Sequence, residues 1–268
     1  MELFNELKGH RRQDVEDFLT FIPIYESKRR FASLAALLKR HRKHIKGKVV
    51  MEAGAGRGIF SKLMAELGAK EVLAVERSDV LYDLLETTVT GLENVSCHCE
   101  DITEFEPEKP VSLLFHELYG PLVLDETMLA LRELRFRPGL VLPDGGKLWA
   151  MPISEAEILQ KEPQYESVWA DALGGALISD LVRGIPFVPK WMVFDWDVHS
   201  EETTFAFELP EQCDFLALCG EITHQGKSVL KMWWTNNWPV IYTPVKGKRF
   251  ELRFLHRDGY TKVFFDWV

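Results

Sequence analysis

Hydrophobic and polar positions change their period twice along the chain. From residue 49 to residue 115, short apolar runs of strand length alternate with stretches of helical spacing. The pattern predicts strand 49–52, helix 59–67, strand 71–75, helix 79–90, strand 94–98 and, after a polar loop, strand 111–115. Four strands separated by helices imply a parallel sheet with right-handed crossovers. Ahead of it, residues 26–44 read as a helix with Phe31, Leu34, Leu37 and Leu38 near helical spacing. Residues 10–25, with Phe18, Phe21 and Tyr25, read as a short amphipathic helix broken by Pro23. Residues 155–183 again read as helical. Beyond Gly184-Ile185-Pro186 the period becomes two, in aromatic-rich runs such as 191–196, 203–207, 228–234, 249–254 and 261–265. Strands 10–15 residues apart, joined by Gly-, Pro- or Asn-bearing turns, suggest an antiparallel sheet or barrel.

The predicted organisation is therefore α/β. An N-terminal helical segment (1–48) precedes a Rossmann-like domain (49–150). A β-barrel-like domain (151–268) follows, with a helical insertion near 155–183.

Composition narrows the function classes. The 268 residues are 46% apolar, enough for one large core or two smaller ones. No apolar run approaches the roughly 18–20 residues of a membrane span, and Met1-Glu2-Leu3-Phe4-Asn5-Glu6 has no signal-peptide layout. Cys97, Cys99, Cys213 and Cys219 match neither zinc spacing nor a disulfide framework. Reduced thiols, a cytoplasmic location, no membrane association and no metal are the expectations. A net charge of −9 argues against non-specific nucleic-acid binding and fits a basic partner. One stretch runs the other way: Lys39-Arg40-His41-Arg42-Lys43-His44, with Lys46 and Lys48. It reads either as an RNA or acidic-ligand patch or as a solvated helix C-terminus, where cations suit the dipole. The sequence favours the second.

The chemistry concentrates where strands end. Glu52-Ala53-Gly54-Ala55-Gly56-Arg57-Gly58 follows the first strand, and alternating glycines let the backbone approach a ligand with positive φ. The helix opening after them offers free N–H groups to an anionic or polar ligand. The G-x-G-x-G spacing differs from the dinucleotide G-x-G-x-x-G and is similar to the S-adenosylmethionine loop of class I methyltransferases. Glu76, about 20 residues past the glycines, ends the second strand where a carboxylate can accept from both ribose hydroxyls. Asp101-Ile102, after the third strand, reads equally as an adenine contact or as a turn cap. Glu52, Glu76, Asp101 and Glu117 all sit at or just after strand ends, so one crevice should gather them.

After the fourth strand, Glu117 and Glu126 flank a Gly120-Pro121 turn in His116-Glu117-Leu118-Tyr119-Gly120 and Asp125-Glu126-Thr127-Met128-Leu129. A turn there can bring the two glutamates together. A carboxylate held among apolar neighbours needs a cationic partner, and a guanidinium, with five donors in a planar fork, suits two carboxylates. With this loop the chain resembles the protein arginine methyltransferase family, from about Arg30 to Pro152. Both acids and their spacing match the family's double-glutamate loop. Glu52 to Gly58 and Val75-Glu76 match its cofactor motifs, and Arg137 to Gly146 looks like the lead into its barrel. The family's Thr-His-Trp loop appears only as Asn236-Asn237-Trp238, and its tyrosine-rich N-terminal helix is not recognisable.

The resemblance implies transfer of a methyl from S-adenosylmethionine to a guanidino nitrogen of arginine in a protein or peptide, leaving S-adenosylhomocysteine. It implies Glu117 and Glu126 as the catalytic pair. It implies cofactor contacts from Arg30, Glu52, Gly54, Ala55, Gly56, Gly58, Glu76, Arg77, Asp101 and Ile102, with Arg30 on the cofactor carboxylate. A homodimer is compatible with it, although the segment where members carry a dimerisation arm is short here. Two other readings stand beside it: methylation of a small amine or guanidine in a closed pocket, and a binding protein that keeps the fold without turnover.

Overall fold

The computed structural model describes residues 27–165 and 171–268. They form two compact units. One holds the described residues up to Glu117 together with Glu133–Pro143; the other holds Leu118–Arg132 and Asp144–Val268. The expected helix over 10–25 lies outside the described residues.

The first unit is built on a five-stranded parallel sheet. Its strands are β1 (Val49–Ala53), β2 (Glu71–Glu76), β3 (Val95–Cys99), β4 (Leu113–His116) and β5 (Val141–Leu142), in the order β3-β2-β1-β4-β5. Near-continuous apolar runs make these strands because both faces of the sheet's centre are covered. Val50, Met51, Leu113 and Leu114 are fully buried, each contributing roughly 1.5–3 kcal/mol. The chain winds outward from β1 through β2 to β3, then crosses back to lay β4 on the other side of β1. That reversal opens a crevice at the carboxyl ends of β1 and β4. Helices Lys28–Arg40, Ile59–Glu66 and Asp79–Val89 fall where the apolar spacing put them, within a few residues. Ser27 and Ser78 cap the first and third of these by accepting from Arg30 N and Leu81 N.

The second unit carries β6 (Gly145–Ile153), β7 (Ile178–Ser179), β8 (Trp191–Asp197), β9 (Thr204–Glu208), β10 (Phe215–His224), β11 (Lys227–Lys231), β12 (Ile241–Pro244), β13 (Arg249–Arg257) and β14 (Tyr260–Trp267). They resolve into two antiparallel sheets. The order is β7-β12-β10-β6-β8 in one, with β11 paired to β10, and β14-β13-β9 in the other. All ten residues of β10 are buried. The aromatic run anticipated in the sequence supplies the core, with Phe194 stacked on Phe205 at 4.1 Å between centroids and Phe254 edge-on to both.

Two expectations change. The helix expected over 155–183 is described as Glu155–Lys161, closed at its start by a Ser154–Glu157 capping box, with residues 171–172 helical again. Pro163 forces Glu162 out of the helical region (φ −125°, ψ 80°), and Ile178–Ser179 then pairs with β12 as a strand. The boundary expected at residue 150 falls inside β6, whose nine residues all pair with β10. The division lies at Pro143/Asp144, and the loop Leu118–Arg132 belongs to the second unit.

Candidate active site

The glycine turn has the backbone its residues suggest. Gly54, Gly56 and Gly58 stand at φ of 65°, 52° and 73°, in the left-handed region that side chains avoid. Gly58 is fixed by packing as well. A Cβ there would lie 2.4 Å from Leu85 Cδ1, so its absence lets helix Asp79–Val89 close onto the start of helix Ile59–Glu66. Ala55 N–H donates to Val75 O at 2.9 Å, tying the turn to the end of β2.

Glu76, buried at that end, accepts from Gly56 N–H at 2.8 Å and from Ser78 N–H at 2.9 Å. One carboxylate thus holds the glycine turn and the first turn of the next helix at a fixed distance. Asp101 accepts from both the N–H and the hydroxyl of Thr103, at 2.9 and 2.7 Å, and lies 3.6 Å from Arg77 Nη1. Burial pushes its carboxyl up, but the Thr103 bonds and the Arg77 charge outweigh this and hold it below the usual range. The turn-capping reading of Asp101 is therefore present in the structure. Ile102 is buried beside it.

Glu52 is buried at the end of β1 and accepts a hydrogen bond from the Ser61 hydroxyl. Burial drives its carboxyl up to about 8; Ser61 opposes the rise, and the charges of Glu117 and Glu76 add to it. Across the switch point, Glu117 follows β4 and pairs with Arg30, which helix Lys28–Arg40 turns inward. Burial raises the Glu117 carboxyl, and the Arg30 guanidinium partly restores it. The pair takes one carboxylate oxygen. The other, Glu117 Oε1, is buried with no hydrogen-bond partner among the described residues. Three carboxylates from β1, β2 and the end of β4 therefore share one end of the sheet with one inward guanidinium. Glu52, its carboxyl raised to about 8, carries little negative charge near neutrality, and the open acceptor is Glu117 Oε1. It suits a cationic ligand carrying N–H donors. Among the described residues no group of three or more His, Cys, Asp or Glu side chains could hold a metal ion.

The loop beyond Glu117 is part of the second unit. Its Gly-Pro turn is real: Val123 N–H donates to Gly120 O at 2.9 Å, and Leu124 N–H reaches Leu122 O at 3.0 Å around Val123 at φ 76°. A β-branched residue there is strained, and its fully buried side chain holds it in place. Asp125 accepts from Leu122 N–H at 2.8 Å, and burial lifts its carboxyl to about 7. Tyr119 donates its hydroxyl to Gly145 O at 3.0 Å, while the Trp238 indole N–H donates to Tyr119 O at 2.7 Å. The Asn236-Asn237-Trp238 segment is therefore fastened to this loop. Glu126 is exposed in the second unit.

Of the expected site residues, Arg30, Glu52, the glycines, Ala55, Glu76, Arg77, Asp101, Ile102 and Glu117 all fall in the first unit at or near the strand ends. Sequence reasoning missed Ser61, whose position one helical turn after Gly58 was its only signal. It missed His116, buried in β4 with Nε2 2.8 Å from Pro143 O. It also missed the direct pairing of Arg30 with Glu117, 87 residues apart.

Comparison with known proteins fits this geometry. The model of the FtsJ-like methyltransferase family matches residues 28–170. "Probable protein arginine N-methyltransferase 6.1" of Oryza sativa subsp. indica is 33% identical over 147 residues, covering 51% of this chain and 37% of that protein. "Protein arginine N-methyltransferase 6" of Danio rerio is 30% identical over 128 residues, 44% of this chain and 36% of that protein. The chain thus spans less than two fifths of the length of the curated relatives it matches. Among solved structures, the "Trypanosoma brucei PRMT1 enzyme-prozyme heterotetrameric complex with AdoHcy" superposes with a TM-score of 0.64 at 17% identity. It covers 91% of this chain and 96% of that one. "Crystal structure of PRMT6-SAH" gives 0.63 at 14% identity, covering 91% and 98%. These likenesses establish a shared fold. The resemblance seen in the sequence is borne out by curated relatives that match over about half of the chain.

Proposed function

This chain belongs to the FtsJ-like methyltransferase family, and on that premise we propose that it moves a methyl group from S-adenosylmethionine to a guanidino nitrogen of arginine in a protein or peptide. The observation that carries the acceptor assignment is Glu117: a nearly buried carboxylate with one oxygen held by Arg30 and the other lacking a partner among the described residues. An unpaired carboxylate in that setting costs free energy that a donor-rich cation recovers. The similar proteins named as protein arginine N-methyltransferases, and a similar structure titled as holding AdoHcy, support the same reading.

The residues fit the cofactor. The positive-φ glycines leave the turn bare beside the Glu76 carboxylate, whose lone pairs are not exhausted by two backbone N–H bonds and can serve ribose hydroxyls. Arg30 supplies a buried positive charge for a carboxylate, and the acidic surroundings favour a sulfonium. When bound, S-adenosylmethionine supplies an electrophilic methyl on that sulfonium.

The chain's own work is positioning and charge. Arginine's guanidinium is protonated at neutral pH, so its nitrogens are weak nucleophiles. Glu117 Oε1 accepts an N–H on one side of the fork, drawing positive charge there and leaving more lone-pair density on the nitrogen facing the methyl. The Arg30 charge offsets part of the burial that raises the Glu117 carboxyl. Glu126 is proposed as the second carboxylate on the fork; its support is the sequence spacing of the loop.

The test is incubation with methyl-labelled cofactor and matched peptides with and without arginine. Label in arginine peptides alone upholds the proposal. Label only in small amines supports the small-molecule reading, and binding without transfer to any acceptor supports the non-catalytic one.

A further inference from the structure

The charge of this chain is unevenly spread, and the uneven part is far from the methyl-transfer site. Residues 28–51 contain nine lysines and arginines and no carboxylate, whereas the whole chain carries −9. Arg30 is spent on Glu117. The C-terminal end of helix Lys28–Arg40 and the 3₁₀ turn Arg42–His44 that follows carry four of the other eight, and Lys46 and Lys48 come next in the chain.

The backbone gathers these charges onto one face. Gly47 N–H donates to Gly68 O at 2.8 Å, Lys70 N–H to Lys48 O at 2.9 Å, and Arg42 Nε to Leu67 O at 3.2 Å. The segment leading into β1 therefore runs alongside the segment leading into β2, adding Lys70 to the patch. Both lie at the amino ends of their strands. The glycine turn and Glu76 are at the carboxyl ends, about 16 Å away for a five-residue strand.

Lys39, Arg40, Lys43, Lys46, Lys48 and Lys70 are all exposed, and among the described residues none of them forms an ion pair. What sets them apart is their clustering in or beside a stretch, residues 28–51, that holds no carboxylate. Elsewhere Lys109 pairs with Glu71 at 2.6 Å, Lys147 with Asp195 at 3.1 Å and Lys246 with Asp171 at 2.5 Å. Glu71, which opens β2 beside the patch, is taken by Lys109. A helix C-terminus accounts for about half a unit of compensating charge, far short of six cations.

We propose that this face binds an acidic segment of a partner protein. Two observations favour acidic protein over nucleic acid. Residues 39–48 hold no Phe, Tyr or Trp; the two rings there, His41 and His44, lie against each other at 6.1 Å between centroids, and Phe31 is stacked on Phe60 at 5.4 Å, so bases have no large open platform. The remainder of the chain carries −18, which repels a long polyanion, while a short acidic tract stays within about a Debye length of the patch.

The experiment measures fluorescence anisotropy of a labelled Glu/Asp-rich peptide against the full chain, at low and at near-physiological salt. Alongside it run an RNA oligonucleotide of equal formal charge and the triple variant Lys43→Glu, Lys46→Glu, Lys48→Glu. All three sites are exposed, and S-adenosylhomocysteine binding measured by calorimetry reports whether the variant keeps its fold. The expected result is salt-dependent peptide binding, weakened at least about tenfold in the variant with cofactor affinity unchanged, consistent with loss of several screened charges. The proposal is overturned if the variant binds the peptide as well as wild type does, or if the RNA binds more tightly than the peptide at the same salt. It is also overturned if sedimentation shows that the patch instead joins two copies of this chain.

Discussion

Replacing Glu52 by glutamine keeps the size of the side chain and its bond to Ser61 and removes a titration. Glu52 has a folded-state pKa of about 8 against an ordinary value of 4.5, with burial as the main cause. The folded protein therefore binds more protons than the unfolded chain between those two values, and wild-type stability falls as pH rises through that window. The contribution is complete below about pH 4.5 and lost above about pH 8. At about 1.36 kcal/mol per unit, the shift corresponds to roughly 3–5 kcal/mol once relaxation is allowed. Glutamine carries no such proton. The difference in unfolding free energy between Glu52→Gln and wild type should be flat in acid, rise in favour of the variant between pH 4.5 and 8, and level off beyond. Taking the difference cancels the titration of Asp125, which is common to both proteins, while Glu117, whose charge acts on Glu52, is part of the same coupled titration. Urea titrations at several pH values give the curve. A difference that stays flat, or that falls as pH rises, would refute a buried, protonated Glu52.

Other perturbations probe separate parts of the account. Glu76→Ala should weaken S-adenosylhomocysteine binding by about 1–3 kcal/mol in calorimetry, since it removes an acceptor and frees the Gly56 and Ser78 N–H groups; unchanged affinity would put the ligand elsewhere. Gly58→Ala should lower the melting temperature by the equivalent of about 2–4 kcal/mol, because its Cβ meets Leu85 and its backbone is left-handed. Adding Leu85→Ala should relieve the clash but not the backbone cost. Trp238→Phe should cost roughly 0.5–1.5 kcal/mol of stability by removing its bond to Tyr119 O, and an unaltered urea midpoint would show the bond to be idle.

The parallel sheet could be read in the sequence because β1, β2 and β4 are short apolar runs with a carboxylate at or just after their ends, and Gly58 and Ser78 open the helices that follow β1 and β2. The glycine turn and Glu76 were readable for the same reason: their roles follow from local backbone geometry. What escaped depends on distant residues meeting. Arg30 and Glu117 are paired only because helix Lys28–Arg40 lies over the switch point. Ser61 gains its meaning from Glu52 being buried opposite it. The stretch 155–183 misled because its leucines keep helical spacing, while Pro163 stops the helix whatever the spacing says. Nothing local to Leu118–Arg132 shows that it leaves the first unit, since that depends on Val123 and Met128 being buried in the second unit's core.

The central claim is that Glu117 polarises an arginine guanidinium for methyl transfer, and single-turnover kinetics on one arginine peptide test it most directly. With labelled cofactor saturating, Glu117→Gln should slow transfer by roughly 10²–10⁴-fold, as should Glu126→Gln, the range for losing a positioned polar group at the reacting centre. S-adenosylhomocysteine affinity should move no more than a few-fold, and the lysine-for-arginine peptide should be nearly inert even with wild type, because an ammonium lacks the planar fork. Near-normal transfer by Glu117→Gln, or equal labelling of the lysine peptide, would contradict the account.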